Sequence, residues 1–342
     1  MIVRARAPLR LGLAGGGTDV SPYCDLHGGA VMNATIAKYA YATIELLATD
    51  KVVFEAADRD ERIELPSSIN FKLGGGLTLH KGVYSRIMRD YCDSKPLPLR
   101  LSTLADAAAG SGLGSSSAMI VSMIQAFVET LSLPLGKYEV ARLAYDIERK
   151  DLGLNGGKQD QYAATFGGFN FMEFHADDRV IVNPLQVKDA AVHELEASLV
   201  LYFTGISRHS ASIIDEQSDN VRAGKQQSIE AMHELKRESA SMKEHLLLGD
   251  MAALGRALRA GWEAKKRMAN SISNEHIDRI EQVTRQAGAI AGKVSGAGGG
   301  GFMFFLTPPD ARKRVIDALG PLGGIVTDCH FTHKGATAWR VR

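Results

Sequence analysis

The sequence predicts an α+β protein that folds as two domains. Strand-forming segments dominate the first third of the chain, whereas residues 212–286 show helical patterns. Strands and helices are mixed without a regular βαβ repeat, which argues against a parallel α/β sheet. The 342 residues and their 45% hydrophobic fraction are enough for a substantial core. A turn at Asn183-Pro184 predicts a boundary between domains over residues 1–183 and 184–342.

In the N-terminal half, β-branched and aromatic residues predict the strands, and periodic apolar residues predict the helices. One helix follows a glycine-rich loop directly, and a second presents Val140, Leu143 and Ile147 on one face. The predicted strands cover residues 2–13, 30–36, 38–48, 52–56, 62–65, 169–174 and 180–182. The predicted helices cover residues 115–131 and 138–150.

The C-terminal half is predicted to be mostly helical, with a smaller number of strands. Three or four helices occupy residues 212–286, and Gly249 and Asn270 separate them. A glycine-rich turn within residues 293–306 leads into an apolar strand, and a helix over residues 308–319 follows. Further strands are predicted over residues 197–203, 324–331 and 337–341.

Composition excludes several classes of protein. Lys and Arg number 40 against 39 Asp and Glu, so the net charge of +1 lacks the basic excess of a nucleic-acid binder. No apolar run approaches 18 residues and no signal-peptide pattern is present, so we expect no membrane association. The cysteines Cys24, Cys92 and Cys329 lie far apart, without a zinc spacing, which predicts a reducing, cytoplasmic location.

Three glycine clusters, at residues 15–17, 110–114 and 296–301, call for a functional explanation. No Gly-Lys pair is followed by Ser or Thr, so a Walker A loop is absent. The third cluster has the letters of a dinucleotide fingerprint, but an apolar strand follows it where a helix is required. A fourth run, at residues 74–76, is interpreted as an ordinary turn.

The middle cluster predicts a phosphate site. Its flexible loop opens directly into an apolar helix, where free backbone N–H groups and the helix dipole attract an anion. The serines on the first helical turn can cap N–H groups or ligate a cation, and an ordinary capped helix is the structural alternative. The residues predicted to bind nucleotide phosphates are Gly110, Ser111, Gly112, Leu113, Gly114, Ser115, Ser116 and Ser117.

This segment resembles motif 2 of the GHMP kinases, in which Gly112-Leu113-Gly114-Ser115-Ser116 fits well. Ala108 and Ser117 depart from the motif's usual proline and alanine. Residues 7–19 resemble motif 1 and residues 294–302 resemble motif 3, in the family's order. The resemblance implies a ribosomal protein S5 domain 2-like N-terminal domain, a ferredoxin-like C-terminal domain, and ATP as co-substrate.

Within that superfamily the chain is most similar to the D-glycero-D-manno-heptose 7-phosphate kinases, through residues 15–20, 156–162 and 204–208. This resemblance implies phosphorylation of the anomeric C1 hydroxyl, in GDP-heptose synthesis for surface polysaccharide. Another sugar 1-kinase, fucokinase- or galactokinase-like, is the alternative. A serine hydrolase built on Gly114-x-Ser116-x-Ala118 is disfavoured, because no parallel α/β pattern or suitably placed His accompanies it.

The resemblance also implies roles for individual residues in phosphoryl transfer. Asp160 would act as the general base, and Arg10 would stabilise the transferring phosphoryl group. Glu148, twelve residues before Asp160, and Ser116 would hold Mg²⁺. The structural alternatives are a strand-edge salt bridge for Arg10 and a solvated surface position for Glu148.

The acceptor is expected to be a sugar phosphate, whose own phosphate needs cationic partners. Asp19 would accept hydrogen bonds from sugar hydroxyls, although a turn-capping role is the alternative. The sequence leaves open whether the chain forms a homo-oligomer. The residues predicted to bind the acceptor are Gly17, Thr18, Asp19, Lys158, Arg208, His209, Gly298 and Gly299.

Overall fold

A computed structural model describes residues 1–206 and 210–342 of the chain. The strands fall into two groups, one near the N-terminus and one in the C-terminal half. Their bounds are β1 Ile2–Ala14, β2 Gly29–Leu46, β3 Lys51–Ala56, β4 Glu61–Pro66, β5 Leu99–Ala105, β6 Phe169–Phe174, β7 Val180–Pro184, β8 Leu199–Phe203, β9 Ala291–Val294, β10 Phe302–Leu306, β11 Ile325–Thr327 and β12 Thr337–Val341.

The helices lie between these strands and concentrate in the C-terminal half. Their bounds are α1 Tyr23–His27, α2 Thr78–Tyr91, α3 Ser115–Leu131, α4 Lys137–Tyr145, α5 Gln159–Phe166, α6 Asp189–Ser198, α7 Ser210–Arg222, α8 Gln226–Leu248, α9 Met251–Lys266, α10 Glu275–Gln286 and α11 Arg312–Leu319. A π-helical turn over Asp146–Asp151 extends α4. Within residues 1–206 and 210–342, every helix is too short or too polar to cross a bilayer.

The larger sheet has the strand order β12-β1-β2-β5-β3-β4, and β6 and β7 extend it from the first half of β2. The long strand β2 runs antiparallel to β1, with register shifts between Pro8 and Leu9 and between Gly12 and Ala14. The apolar helix α3 packs against β1 and β2. Its fully buried Ile120, Ile124 and Phe127 join the same core as Leu9 and Leu11 of β1, so this core fixes where α3 begins.

The smaller sheet is antiparallel, in the order β11-β8-β10-β9. Helices α9, α10 and α11 cover it around a second core that includes Trp262, Tyr202 and Phe305. The first core also extends into the C-terminal half through Leu258 and Phe304. Because apolar residues of both halves pack into one core, that core fixes the position of one half relative to the other.

The predicted α+β mixture of helices and sheets is confirmed. Four helices fill residues 210–286, within the predicted number. The two strands predicted over residues 30–36 and 38–48 are one continuous strand, because β2 bends through register shifts rather than ending.

The N-terminal elements α1, α2, α5 and β5 escaped prediction. Helix α2 buries His80 and Lys81, so its inward face lacks a continuous apolar stripe. His80 lies 2.9 Å from the Thr103 hydroxyl of β5, and the Lys81 ammonium donates to the Gly74 carbonyl at 2.9 Å. Polar partners therefore satisfy groups that a hydrophobic pattern treats as exposed.

The division between the two sheets falls between β7 and β8, close to the predicted boundary at residues 183/184. The last strand is an exception, because β12 returns to pair with β1 from Ile2↔Val341 to Arg6↔Thr337. The assignment of residues 184–342 to a separate domain stays a prediction.

Candidate active site

Residues from both halves of the chain line a cavity of about 490 Å³. The N-terminal half contributes residues of all its predicted motifs, and the C-terminal half contributes α7, the end of α9 and the glycine turn between β9 and β10. Its wall includes three carboxylates predicted as functional, Asp19, Glu148 and Asp160, together with Arg10.

The central feature of the cavity is an ion pair between Arg10 and Asp160. The guanidinium donates from Nε to Oδ1 at 2.7 Å and from Nη2 to Oδ2 at 2.9 Å. The side chains are only 6% and 19% exposed, so the pair lies in the wall and not on an open surface. A bidentate fork fixes both planes, and the pairing therefore sets the direction of the Asp160 carboxylate.

The Nη1 group of Arg10 connects the second and third glycine clusters. Its Nη1 donates to the Gly112 carbonyl and, at 3.3 Å, to the Ser295 hydroxyl. Ser295 also donates to Gly112 O at 3.0 Å, and Phe302 N donates to Ser111 O at 2.8 Å. The backbones of motifs 2 and 3 are thus in direct contact, and motif 3 supports the loop ahead of α3.

Gly112 cannot carry a side chain in this arrangement. Its φ is +82°, and an added Cβ would lie 2.3 Å from the Ser295 carbonyl oxygen. The positive φ and the close contact each disfavour any residue other than glycine. The contact is with backbone, which cannot easily move away.

Six of the eight residues predicted to bind nucleotide phosphates line the cavity. They are Gly110, Gly112, Gly114, Ser115, Ser116 and Ser117. The other two lie behind the wall: Leu113 is fully buried in the core, and Ser111 is turned inward against the β10 end of motif 3. Helix α3 begins at Ser115, so its N-terminus adjoins this wall.

Glu148 lies at the centre of a compact network of hydroxyl and amide donors. Ser116 donates to its Oε1 at 2.9 Å, while Ser117 and Gln161 donate to Oε2 at 2.6 Å each. The carboxylate is 2% exposed and lies in the π-helical turn, a form frequent at functional sites. It is therefore not a solvated surface residue.

Asp19 is buried and already accepts several protein donors. Gly17 N and the Gln159 side chain donate to Oδ1 at 3.0 and 3.4 Å, and Gln159 N donates to Oδ2 at 3.1 Å. The carboxylate thus ties motif 1 to the start of α5, the helix that carries Asp160. Since Asp19 also lines the cavity, Oδ2 retains a lone pair for a ligand.

Thr18, also predicted to bind the acceptor, lies behind the cavity wall. Its hydroxyl is fully buried and donates to Gly15 O at 2.8 Å and Ala30 O at 3.0 Å. These hydrogen bonds stabilise the turn. Gly17 does line the cavity, and a Cβ there would meet Met268 Cε at 2.7 Å, so the turn closes tightly against the C-terminal half.

Lys158 was also predicted to bind the acceptor. Its ammonium forms ion pairs with Asp25 at 3.2 Å and Asp178 at 3.0 Å and lies outside the cavity wall. Burial lowers its pKa, but the Coulombic effect of Cys24 and the Asp178 hydrogen bond outweigh this, so the pKa ends above its ordinary value. Two aspartates already neutralise this cation, so it is not free for a phosphate.

Among the remaining acceptor-site predictions, Gly298 lines the cavity but Gly299 does not. Gly299 instead donates its N–H to Ile272 O at 2.8 Å and accepts from Asn274 at 3.1 Å, which anchors the turn. Arg208 and His209 lie outside the described residues.

Several residues of the site were not predicted as site residues from the sequence. Ser295 lies within motif 3 and Gln161 within residues 156–162, so their position next to a glycine turn or a catalytic Asp could have indicated them. Lys265, Gln217 and Arg149 line the cavity from helical segments without any motif. Only the tertiary fold brings these three side chains to the cavity.

Comparison with known proteins agrees with this geometry. Residues 78–168 match the GHMP kinases N terminal domain, and residues 231–322 match the GHMP kinases C terminal domain. The chain is 46% identical over 339 residues to a D-glycero-alpha-D-manno-heptose 7-phosphate kinase of Campylobacter jejuni, covering 99% of each chain. The chain belongs to the GHMP kinase family.

Two further relatives show where this GHMP kinase lies within the family. A crystal structure described as a D-glycero-D-manno-heptose 1-phosphate kinase from Bacteroides thetaiotaomicron superposes with a TM-score of 0.85, at 47% identity and 99% coverage of each chain. The L-fucokinase/L-fucose-1-P guanylyltransferase of Bacteroides fragilis is 25% identical, over 92% of this chain and 35% of that protein. The fucokinase resemblance is therefore distant.

The contact between motifs 2 and 3 generates a test of the site's architecture. Gly112→Ala should lower the free energy of unfolding by about 2 kcal/mol or more, through backbone overlap and strain, and should weaken ATP binding at least tenfold. Denaturant titration and calorimetry measure the two effects. The matched control is Gly75→Ala, whose φ of +78° is similar but whose surroundings are open. Equal effects of the two substitutions would contradict this account.

Proposed function

We propose that this GHMP kinase transfers the γ-phosphoryl group of ATP to the anomeric C1 hydroxyl of D-glycero-D-manno-heptose 7-phosphate, giving the 1,7-bisphosphate. The observation that carries the proposal is the Arg10–Asp160 pair in a cavity whose wall is the glycine loop and the N-terminus of α3. The 46% identity to a heptose 7-phosphate kinase across the full chain supports the choice of acceptor.

In this reaction one bond to the γ-phosphorus forms, another breaks, and a proton moves to the protein. The acceptor hydroxyl oxygen bonds to the γ-phosphorus, the bond from that phosphorus to the β,γ-bridging oxygen breaks, and ADP leaves. Asp160 takes the hydroxyl proton, while Arg10 orients the carboxylate and supplies positive charge beside the transferring group. The backbone N–H groups at the start of α3 hold the donor phosphates.

Mg²⁺ belongs to the proposal as well. Glu148 and Ser116 both line the cavity, with 2.9 Å between the hydroxyl oxygen and Oε1, and Mg²⁺ commonly combines one protein carboxylate with waters and nucleotide phosphates. No cluster of three His, Cys, Asp or Glu residues occurs in the described parts of the chain, which suits a metal shared with the nucleotide. When bound, the ion neutralises phosphate charge.

We predict that Arg208 and His209 bind the distal phosphate of the acceptor. We also place the enzyme in the cytoplasm, since ATP is its co-substrate and its cysteines are free. An oligomeric assembly is neither required nor excluded by this site, because a single chain supplies all the residues named for it.

A product assay tests the acceptor directly. With ATP and Mg²⁺, phosphorus NMR should show a new anomeric phosphate on D-glycero-D-manno-heptose 7-phosphate. The same assay includes heptose 1-phosphate, unphosphorylated heptose, fucose and galactose as acceptors. Preference for an unphosphorylated sugar would contradict the heptose phosphate assignment and favour a fucokinase- or galactokinase-like activity.

The role of Asp160 predicts a specific kinetic defect. Asp160→Asn should keep ATP affinity near the wild-type value but lower kcat by about 10²–10⁴-fold, the range for loss of a general base. Steady-state kinetics and nucleotide titration measure both quantities. Asp151→Asn, which loses pairings with Arg86 and Arg89 away from the cavity, is the control. A kcat within threefold of wild type in Asp160→Asn would reduce Asp160 to a structural role.

The role of Glu148 predicts a dependence on metal concentration. Glu148→Gln removes a charge that would neutralise Mg²⁺, so it should raise the Mg²⁺ concentration needed for half-maximal rate at fixed ATP by at least tenfold. Ser116→Ala should shift it in the same direction by less. Exposed Glu139→Gln on α4 is the control. An unchanged Mg²⁺ dependence in Glu148→Gln would remove Glu148 from the metal site.

A further inference from the structure

Lys265 is a buried cation that the proposed reaction has not yet used. It occupies the last turn of α9, is 1% exposed, and forms part of the cavity wall. Its ammonium donates to Gly16 O at 3.0 Å and to Gly296 O at 2.7 Å, so it bridges motif 1 and motif 3. An ammonium group has three N–H donors, and these two carbonyls leave one available.

The charge of Lys265 lacks a matched counter-ion. Among residues 1–206 and 210–342, no carboxylate forms a salt bridge with it, whereas the equally buried Lys158 pairs with two aspartates. Burying an unpaired ammonium is costly, and two neutral carbonyls compensate only part of that cost. Tying two loops together would need only a neutral donor, so the retained charge points to an anion supplied from the cavity.

Its surroundings place this charge near the reacting groups. Asp19, Asp160 and Arg10 lie close enough to act electrostatically on Lys265, and all three line the cavity with it. Lys293, another buried lysine, donates to Gly12 O at 2.6 Å and lies outside the wall. Of these two cations, Lys265 is the one in position to meet a ligand.

We propose that Lys265 binds a phosphate oxygen in the cavity, through its third N–H and its unpaired charge. This inference rests on the proposed function, which brings two kinds of phosphate into the cavity: the phosphate that the acceptor already carries and the phosphoryl group in transfer. Either one supplies the same chemistry, a non-bridging anionic oxygen that accepts a charge-assisted hydrogen bond.

The inference carries a pH dependence. Burial lowers the pKa of Lys265 to about 8, with Arg10 acting in the same direction and Asp19 and Asp160 opposing it. Lys293 also faces this ammonium. The protonated form binds phosphate, so affinity for a phosphate monoester should fall as the pH rises through about 8. A phosphate monoester, with a second pKa near 6, is already dianionic there.

Lys265→Met and Lys265→Arg test the inference, with Lys266→Met as the matched control. Lys266 is the next residue of α9 but pairs with Glu263 and Glu281 outside the cavity. Calorimetry from pH 6.5 to 9.5 measures binding of heptose 7-phosphate, unphosphorylated heptose and inorganic phosphate, and kinetics give kcat and KM. Inorganic phosphate tests the subsite even if the acceptor is a different sugar.

If the acceptor phosphate is the ligand, Lys265→Met weakens heptose 7-phosphate binding by about 10–100-fold and leaves unphosphorylated heptose unaffected. If the transferring group is the ligand, kcat falls by that factor while acceptor affinity holds. In both cases Lys265→Met abolishes the loss of affinity or rate above pH 8. Lys265→Arg keeps its positive charge and retains more function than Lys265→Met.

Other outcomes would overturn the inference. One is wild-type affinity, kcat and pH profile in Lys265→Met. Another is equally weakened binding of all ligands, ATP included, with the loss of affinity at alkaline pH retained, because that pattern indicates a purely structural role.

A different result separates the inference from the proposed function. A wild-type enzyme that binds inorganic phosphate through Lys265 but does not phosphorylate the heptose phosphate would contradict the proposed function and support the phosphate subsite.

Discussion

The bidentate pairing of Arg10 with Asp160 is the interaction on which the rest of the site depends. It joins β1 to the first turn of α5 across 150 residues of sequence, and the third donor of Arg10 reaches the loop before α3 and the turn after β9. A partly buried ion pair contributes little net stability, because desolvation offsets the Coulombic attraction. Its value is geometric: it directs a carboxylate at a cavity while the Gly112 carbonyl and the Ser295 hydroxyl accept from the same guanidinium.

Charge is distributed around this pair in an ordered way. Glu148 is held by three neutral donors and by Arg149, whose Nη1 lies 3.5 Å from Oε1, on the side of the glycine loop. Lys265 is held by two carbonyls where motifs 1 and 3 meet. Both buried charges line the cavity. Such sites are stabilised when ligands of opposite sign bind, which is what a reaction between a metal nucleotide and a sugar phosphate supplies.

The sequence predicted the chemistry of the site better than the roles of single side chains. Arg10, Glu148 and Asp160 could be identified because motif spacing ties them to glycine loops, and the structure brings all three to one cavity. Sequence proximity to a motif does not reveal where a side chain points: the Thr18 hydroxyl donates within its own turn, and the Lys158 ammonium meets two aspartates from distant segments. Lys265 could not be found at all, since it reaches the site only through the packing of α9. In the fold, α2 was missed for a related reason, because its buried His80 and Lys81 interrupt the apolar pattern.

The central claim is that Arg10 and Asp160 act as one unit in phosphoryl transfer, and a double-mutant cycle on kcat measures this most directly. Arg10→Gln, Asp160→Asn and the double variant would be compared with wild type at saturating ATP, Mg²⁺ and heptose 7-phosphate. Groups that act together lose their joint contribution once, so the double variant should be about as slow as the slower single variant. Losses that multiply, with the double variant slowed by the product of the two single effects, would show that the residues act independently and would contradict the account.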